Sequence, residues 1–80
     1  MNIADLVLLL TETLGLGDRA ETLTTQTRLL GGIPEFDSMA VVTVLTAIEE
    51  QYDIVIEDDE VTAEVFETIG SLLEFVTARV

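Results

Sequence analysis

Apolar residues recur with one helical spacing in two separate parts of this sequence. Near the N-terminus and again in the middle, they stand at i, i+3, i+4, i+7 and i+11, which places them on one face of an α-helix. The two series are Ile3, Leu6, Val7, Leu10 and Leu14, and Val41, Val44, Leu45, Ile48 and Tyr52. Each apolar face must be buried against another element, so the pattern predicts an all-α domain.

Capping residues mark the ends of the first helix. Asn2 is a candidate N-cap, and Gly15 or Gly17 is suited to end the helix in the left-handed conformation. A connection rich in threonine and glycine follows over 18–37, which is long for a segment without structure of its own. Its apolar residues are expected to hold it against the helices; they are Leu23, Leu29, Leu30, Ile33 and Phe36.

Three further helices are predicted after this loop. The second covers 38–51, a short third covers about 62–66, and the fourth covers about 69–79 with Thr68 as its N-cap. Together with the first helix they make a four-helix bundle with a long first loop and a short third helix. A chain of 80 residues forms one small domain, so 1–80 is predicted to be a single domain.

The segment 53–56 has the composition of a short β-strand. A lone strand has no partner, and no second run of this kind exists in the sequence. The segment is therefore predicted to be an extended loop that buries Ile54 or Ile56.

The net charge of the chain indicates which classes of partner it can bind. Sixteen acidic residues against three basic ones give a net charge of −13. Nucleic acids and anionic membranes are poor partners for such a surface, because binding to them relies on Lys and Arg. A protein with a basic docking groove is favoured, since opposite charges speed the encounter. The chain is 49% hydrophobic, which is too apolar for an acidic disordered tail.

The absence of cysteine and histidine excludes several kinds of site. Disulfides, thiolate metal sites and Ser-His-Asp or Cys-His catalytic arrangements are impossible within the chain. The N-terminal apolar run is interrupted by Asp5 and lacks a basic flank, so neither a signal peptide nor membrane insertion is expected. A cytoplasmic location is the default expectation.

The acidic run 57–60 raises the possibility of a calcium loop. A loop of the EF-hand type that starts at Asp53 would place Glu64 correctly at its twelfth position. Its third position, however, is Val55, and its sixth is Asp58 where glycine is required. We therefore predict a solvated loop and no metal site, although weak divalent binding would relieve repulsion among these carboxylates.

Asp37, Ser38 and Met39 stand where the loop 31–36 gives way to the helical stretch 40–52. A serine at such a junction has an exposed hydroxyl on a rigid backbone, and the aspartate adds a carboxylate beside it. Asp-Ser at a helix start commonly serves only to cap the helix. The two roles are compatible, since Asp37 caps while the hydroxyl of Ser38 remains available.

In this position the tripeptide resembles the motif of the acyl carrier protein family, and the resemblance extends over nearly all 80 residues. It implies that Ser38 receives a 4′-phosphopantetheine arm from coenzyme A, and that Asp37 belongs to the site read by the phosphopantetheinyl transferase. The implied protein is a non-catalytic carrier that tethers acyl intermediates as thioesters. Its enzymes would belong to fatty-acid, polyketide or exopolysaccharide-associated acyl metabolism.

The resemblance also implies a docking face on the second helix for enzymes with basic surfaces. Its residues are Asp37, Met39, Val42, Thr46, Glu49 and Glu50. The sequence departs from the family pattern at Ala40 and Thr43, which are neutral where relatives often carry carboxylates. Met39 replaces the usual leucine with another flexible apolar side chain. These differences indicate a dedicated pathway.

In acyl carriers the helices part to hold the acyl chain between them. The candidate lining residues here are Val41, Val44, Leu45, Ala47 and Leu73. A monomer is expected. Two alternatives remain open at this point: a peptidyl, aminoacyl or D-alanyl carrier, and an acidic helical adaptor that never carries an arm.

Overall fold

A computed structural model describes residues 2–34 and 36–79; at Arg19, Ala20 and Asp58 it describes the backbone alone. Three α-helices cover Ile3–Leu14 (α1), Ser38–Tyr52 (α2) and Ile69–Thr77 (α3). Two 3-10 helices, Gly17–Thr22 and Asp58–Glu60, lie in the connections. The all-α prediction is confirmed, and no described helix is long and apolar enough to cross a membrane.

The predicted helix ends agree closely with the structure. Asn2 and Asp5 form a reciprocal capping box at the start of α1, and Gly15 ends the helix with a φ of 68°. Thr68 and Ser71 form a second capping box at the start of α3. These side chains satisfy backbone N–H groups that have no partner within the helix, which fixes where each helix begins.

The predicted short third helix at 62–66 is wrong. This segment forms consecutive turns instead. Val65 N–H donates to the Thr62 carbonyl, and the N–H groups of residues 66 and 67 donate in the same way to the carbonyls three residues before them. The helix does not continue because the next carbonyls bond across to the first loop. Leu30 N–H donates to the Phe66 carbonyl and Leu29 N–H to the Glu67 carbonyl. The described residues therefore contain three α-helices, and the predicted count of four is not met.

The first loop is docked onto the N-terminus of α3. Ile69 N–H donates to the Thr27 carbonyl and Gly70 N–H to the Thr25 carbonyl, each at 2.9 Å. A Cβ at Gly70 would lie 2.8 Å from the Thr25 carbonyl oxygen, so the close approach requires glycine. The loop thereby supplies the partners that the first N–H groups of α3 otherwise lack.

One hydrophobic core joins the helices and this loop. The predicted loop anchors Leu29, Ile33 and Phe36 are buried, and Leu23 and Leu30 pack against the core from its edge. The helical contributions to the core are Leu6, Leu9, Leu10, Ala40, Val44, Ile48, Ile69, Leu72 and Val76. Three buried side chains anchor this long loop in the core. The loop therefore has a fixed position where it leads into α2.

The segment after α2 is extended, as predicted, and Ile56 is its buried residue. Ile54 is half-buried, and Val55 between them points away from the core with 78% of its surface exposed. The only residue other than glycine with a positive φ among those described is Asp53, at 53°, where it ends α2.

Candidate functional site

Ser38 is the first residue of α2, and its position is set by the residues just before it. Phe36 is buried, its ring lies 5.6 Å from the ring of Phe66, and its N–H donates to the Ile33 carbonyl. Two residues later the side chain of Ser38 is exposed. The chain thus leaves a buried aromatic anchor and presents the hydroxyl to solvent on a fixed backbone.

Asp37 caps α2. Its Oδ1 accepts a hydrogen bond from Ala40 N–H at 2.9 Å, and its carbonyl accepts from Val41 N–H. The predicted capping role is therefore confirmed. Among the described residues, no hydrogen-bond partner is found for the N–H groups of Ser38 and Met39, and no acidic residue lies in the first turn of the helix.

The N-terminus of α2 differs from those of the other two helices. The N–H groups of Ile69 and Gly70 in α3 are taken by loop carbonyls, and the first turn of α1 contains the carboxylate of Asp5. Free N–H groups and the helix dipole both favour an anion at a helix start. A phosphodiester on Ser38 fits this environment, because it would stand beside two N–H groups that have no partner in the described part of the chain.

Ser71, the other serine of the sequence, is engaged within the fold. Its Oγ lies 2.8 Å from the carbonyl oxygens of Val65 and Thr68, and it accepts a hydrogen bond from Thr68 N–H. Its side chain is half-buried. Ser71 thus completes a helix cap and is a poor acceptor for a bulky group.

The residues predicted to form the docking face do not all lie in the same environment. Met39 and Val42 are 71% and 59% exposed, and Thr46 and Glu50 are also exposed. Glu49 is half-buried, and its Oε2 accepts a hydrogen bond from Ile56 N–H at 2.9 Å. Sequence reasoning missed this structural role, because the partner is a backbone group seven residues away.

Two other expectations about α2 need adjustment. Ala40 is buried and belongs to the core, so a carboxylate at this position is disfavoured here by packing. Val41, Leu45 and Tyr52, predicted to face the core, are half-buried at its edge.

A cleft of about 140 Å³ lies within the first loop. It is lined by Leu16, Thr22, Leu23, Thr27, Gly32, Ile33 and Pro34. None of the residues predicted to line an acyl site belongs to it: Val44 is fully buried, and Val41, Leu45, Ala47 and Leu73 pack against the edge of the core.

The acidic run after α2 folds on itself and pairs with one arginine. Glu60 accepts from Glu57 N–H at 3.0 Å and lies 3.2 Å from Arg79, whose guanidinium stacks on Phe75. The hydrogen bond from Glu57 and the contact with Arg79 lower the pKa of the Glu60 carboxyl. Among the residues with described side chains, no group of three potential metal ligands comes together.

Comparisons with known proteins decide the family. The family model described as "Phosphopantetheine attachment site" matches residues 4–76. A comparison with curated proteins gave no match. Among solved structures, the chain is similar to the holo acyl carrier protein from Nitrosomonas europaea, with 50% identity over 95% of this chain and 92% of that chain and a TM-score of 0.86.

The chain belongs to the acyl carrier protein family. Members are non-catalytic carriers with covalently attached 4′-phosphopantetheine, and they work with a phosphopantetheinyl transferase and with acyl-handling enzymes. The chain's lack of histidine and cysteine agrees with a carrier that leaves the chemistry to its partners. An unmodified helical adaptor, the alternative from another class, does not agree with membership in a family defined by the attachment of an arm.

Proposed function

We propose that Ser38 carries the 4′-phosphopantetheine arm and that this carrier delivers acyl groups, held as thioesters on the thiol of the arm, to partner enzymes. The observation that supports Ser38 is its exposed side chain at the first position of α2, a helix whose N-terminus is capped by Asp37. Asp37 caps the helix through its Oδ1, and its side chain is exposed, which supports the proposal that the transferase reads it.

The proposal is tested by intact mass after treatment with a broad-specificity phosphopantetheinyl transferase and coenzyme A. We expect the wild-type chain to gain one arm and Ser38→Ala to gain none. Ser71→Ala is the matched control, and it should gain the arm as the wild type does. Attachment of an arm to Ser38→Ala would contradict the proposal.

We also propose that partners read the docking face on α2: Asp37, Met39, Val42, Thr46, Glu49 and Glu50. The exposure of Met39 and Val42 supports it, because two large apolar side chains about one helical turn apart offer a contact surface beside Ser38. The net charge of −13 favours partners with basic surfaces. The pathway classes proposed are fatty-acid, polyketide and exopolysaccharide-associated acyl metabolism, in the cytoplasm, with residues 1–80 acting as one monomeric carrier domain.

The acyl chain is proposed to enter between α2 and α3. No Cα atom of α2 lies within 8 Å of one in α3, so side chains alone bridge the two helices along the described chain. Val41 and Leu45 of α2 and Leu73 of α3 are half-buried against the core, and they are the residues proposed to line this entrance. Loading the holo-protein with acyl groups of increasing length should raise its melting temperature if the chain is buried there.

A further inference from the structure

Val55 is the most exposed large apolar side chain among the described residues, at 78%. It does not stand on a loose loop. Ile56 beside it is buried, and Ile54 on the other side is half-buried against the core. A valine that faces solvent between two anchored isoleucines is therefore presented at the surface in a fixed position.

Glu49 supplies the anchor. Its carbonyl accepts hydrogen bonds from the N–H groups of Asp53 and Ile54, and its Oε2 accepts from Ile56 N–H at 2.9 Å. The residues on both sides of Val55 are thus bonded to one residue of α2. This arrangement holds Val55 beside Glu49, at the end of the docking face farthest from Ser38.

We propose that Glu49 and Val55 form a second docking element, in which Val55 is the apolar contact and Glu49 its positioning residue. The occupant is the phosphopantetheinyl transferase, which would cover Val55 with an apolar pocket rimmed by basic residues. This inference rests on the proposed function. The charge around Val55 supports it, because the exposed residues Glu50, Asp53 and Glu57 surround it in the sequence.

One partner is large enough to cover both ends of α2. The helix has 15 residues and is therefore about 22 Å long. A standard interface covers about 800 Å² on each protein, which corresponds to a disc roughly 30 Å across. A transferase whose interface of this size is centred on the middle of α2 covers both Ser38 at one end of the helix and Val55 beyond the other.

Positioning matters because a side chain that is already fixed loses little freedom on binding. Branching at Cβ restricts the χ1 angle of valine, and the backbone of Val55 is held on both sides by Glu49. Without the Glu49 carboxylate, Ile56 N–H loses its partner, and the backbone of Val55 is then held by Glu49 on one side only. Val55 would then contribute less to binding although its side chain is unchanged.

The first measurement is the rate of arm attachment by the transferase with coenzyme A. Val55→Thr keeps the size and branching of the side chain and removes its apolar character. We expect it to raise the KM for the carrier about fivefold with kcat unchanged, as loss of a well-packed interface contact does. Leu8→Gln is the matched control, since Leu8 is also an exposed apolar residue, at 58%, and lies on α1; its rate should equal that of the wild type.

The second measurement is a pair of double-mutant cycles. Glu49→Asp keeps the charge but shortens the side chain so that it no longer reaches Ile56, whereas Glu49→Gln keeps the reach and an acceptor oxygen but loses the charge. In the Glu49→Asp background, Val55→Thr should change KM by less than about twofold. In the Glu49→Gln background it should raise KM by about fivefold, as in the wild-type background. Amide hydrogen exchange at Ile56 should be faster in Glu49→Asp than in Glu49→Gln.

Three results would overturn the inference. Val55→Thr with the wild-type KM rejects Val55 as a contact and leaves Ser38 as the attachment site intact. An equal effect of Val55→Thr in both Glu49 backgrounds rejects the positioning role. No attachment to the wild-type chain at all rejects the proposed function, and this inference with it.

Discussion

At the scale of single residues, the backbone conformation of Asp53 is the clearest departure from local preference. It ends α2 with a φ of 53°, a left-handed conformation that costs most residues about 1–2 kcal/mol and is tolerated best by Gly, Asn and Asp. Its carboxylate also stands at the negative end of the helix dipole, beside Glu49 and Glu50. The left-handed backbone conformation thus favours aspartate at position 53, while the helix dipole and the neighbouring carboxylates disfavour its negative charge.

We expect Asp53→Asn to stabilise the domain by roughly 0.5–1 kcal/mol, because it removes the unfavourable charge and keeps a side chain suited to the left-handed conformation. Asp53→Ala removes the same charge, but alanine is poorly suited to the left-handed conformation. Asp53→Ala should therefore be less stable than Asp53→Asn. Thermal melts of the three proteins in one buffer measure both differences. A lower melting temperature for Asp53→Asn than for the wild type would contradict this explanation.

Residue patterns predicted the caps but not the longer connections. Asn2, Asp37 and Thr68 were predicted as caps because a cap bonds to backbone only three residues away. The Glu49–Ile56 bond could not be predicted, because it depends on where the chain goes after the helix ends. For the same reason Glu49 was assigned to the docking face alone.

At the scale of elements, the apolar periodicity predicted α1 and α2 correctly. The short helix predicted at 62–66, which rested on no such series, does not form; the carbonyls of Phe66 and Glu67 bond to the first loop instead. The periodicity missed the 3-10 helix Gly17–Thr22, which carries no apolar period. A helix that buries one face can be predicted from the spacing of its apolar residues. The conformation of a short segment depends on the residues elsewhere in the chain that it contacts.

The docking face on α2 leads to a prediction that separates binding from folding. Glu50→Lys should slow arm attachment at low salt and less so at high salt, with stability almost unchanged, because Glu50 is exposed and no hydrogen bond joins its side chain to another described segment. Met39→Ala should weaken docking at both salt concentrations by about 1 kcal/mol if Met39 is a central contact.

Glu49→Lys makes the same charge change as Glu50→Lys, but at a residue that also bonds to the segment after α2. It should slow attachment and also lower the melting temperature, because Ile56 N–H loses its acceptor. Attachment rates at two salt concentrations, measured beside melting curves, test all three variants. If all are modified at the wild-type rate at both salts, the transferase does not use this face.

At the scale of the whole molecule, charge and size together set an electrostatic cost for folding. Thirteen net negative charges are held in a domain of about 30 × 21 × 20 Å. At an ionic strength of 0.01 M charges are screened only over about 30 Å, so nearly all of them interact, whereas at 0.15 M the range is about 8 Å. Folding brings them together, and salt should therefore favour the folded state.

We expect the melting temperature to rise with salt between these two conditions, by about 4–8 °C if the repulsion relieved is on the order of 1 kcal/mol. Magnesium or calcium should act at lower concentration than sodium. The response should centre on the acidic residues Glu49, Glu50, Asp53, Glu57, Asp58, Asp59, Glu60 and Glu64. A melting temperature indifferent to both salt and divalent cations would contradict this expectation.

The central claim is that the arm is attached at Ser38, and locating the added group by fragmentation mass spectrometry tests it most directly. The wild-type chain is converted with transferase and coenzyme A, purified and fragmented. We predict that every fragment retaining the arm contains Ser38, where the exposed hydroxyl stands at the start of α2. An arm found on a fragment that contains Ser71 or any threonine, with Ser38 unmodified, would contradict it.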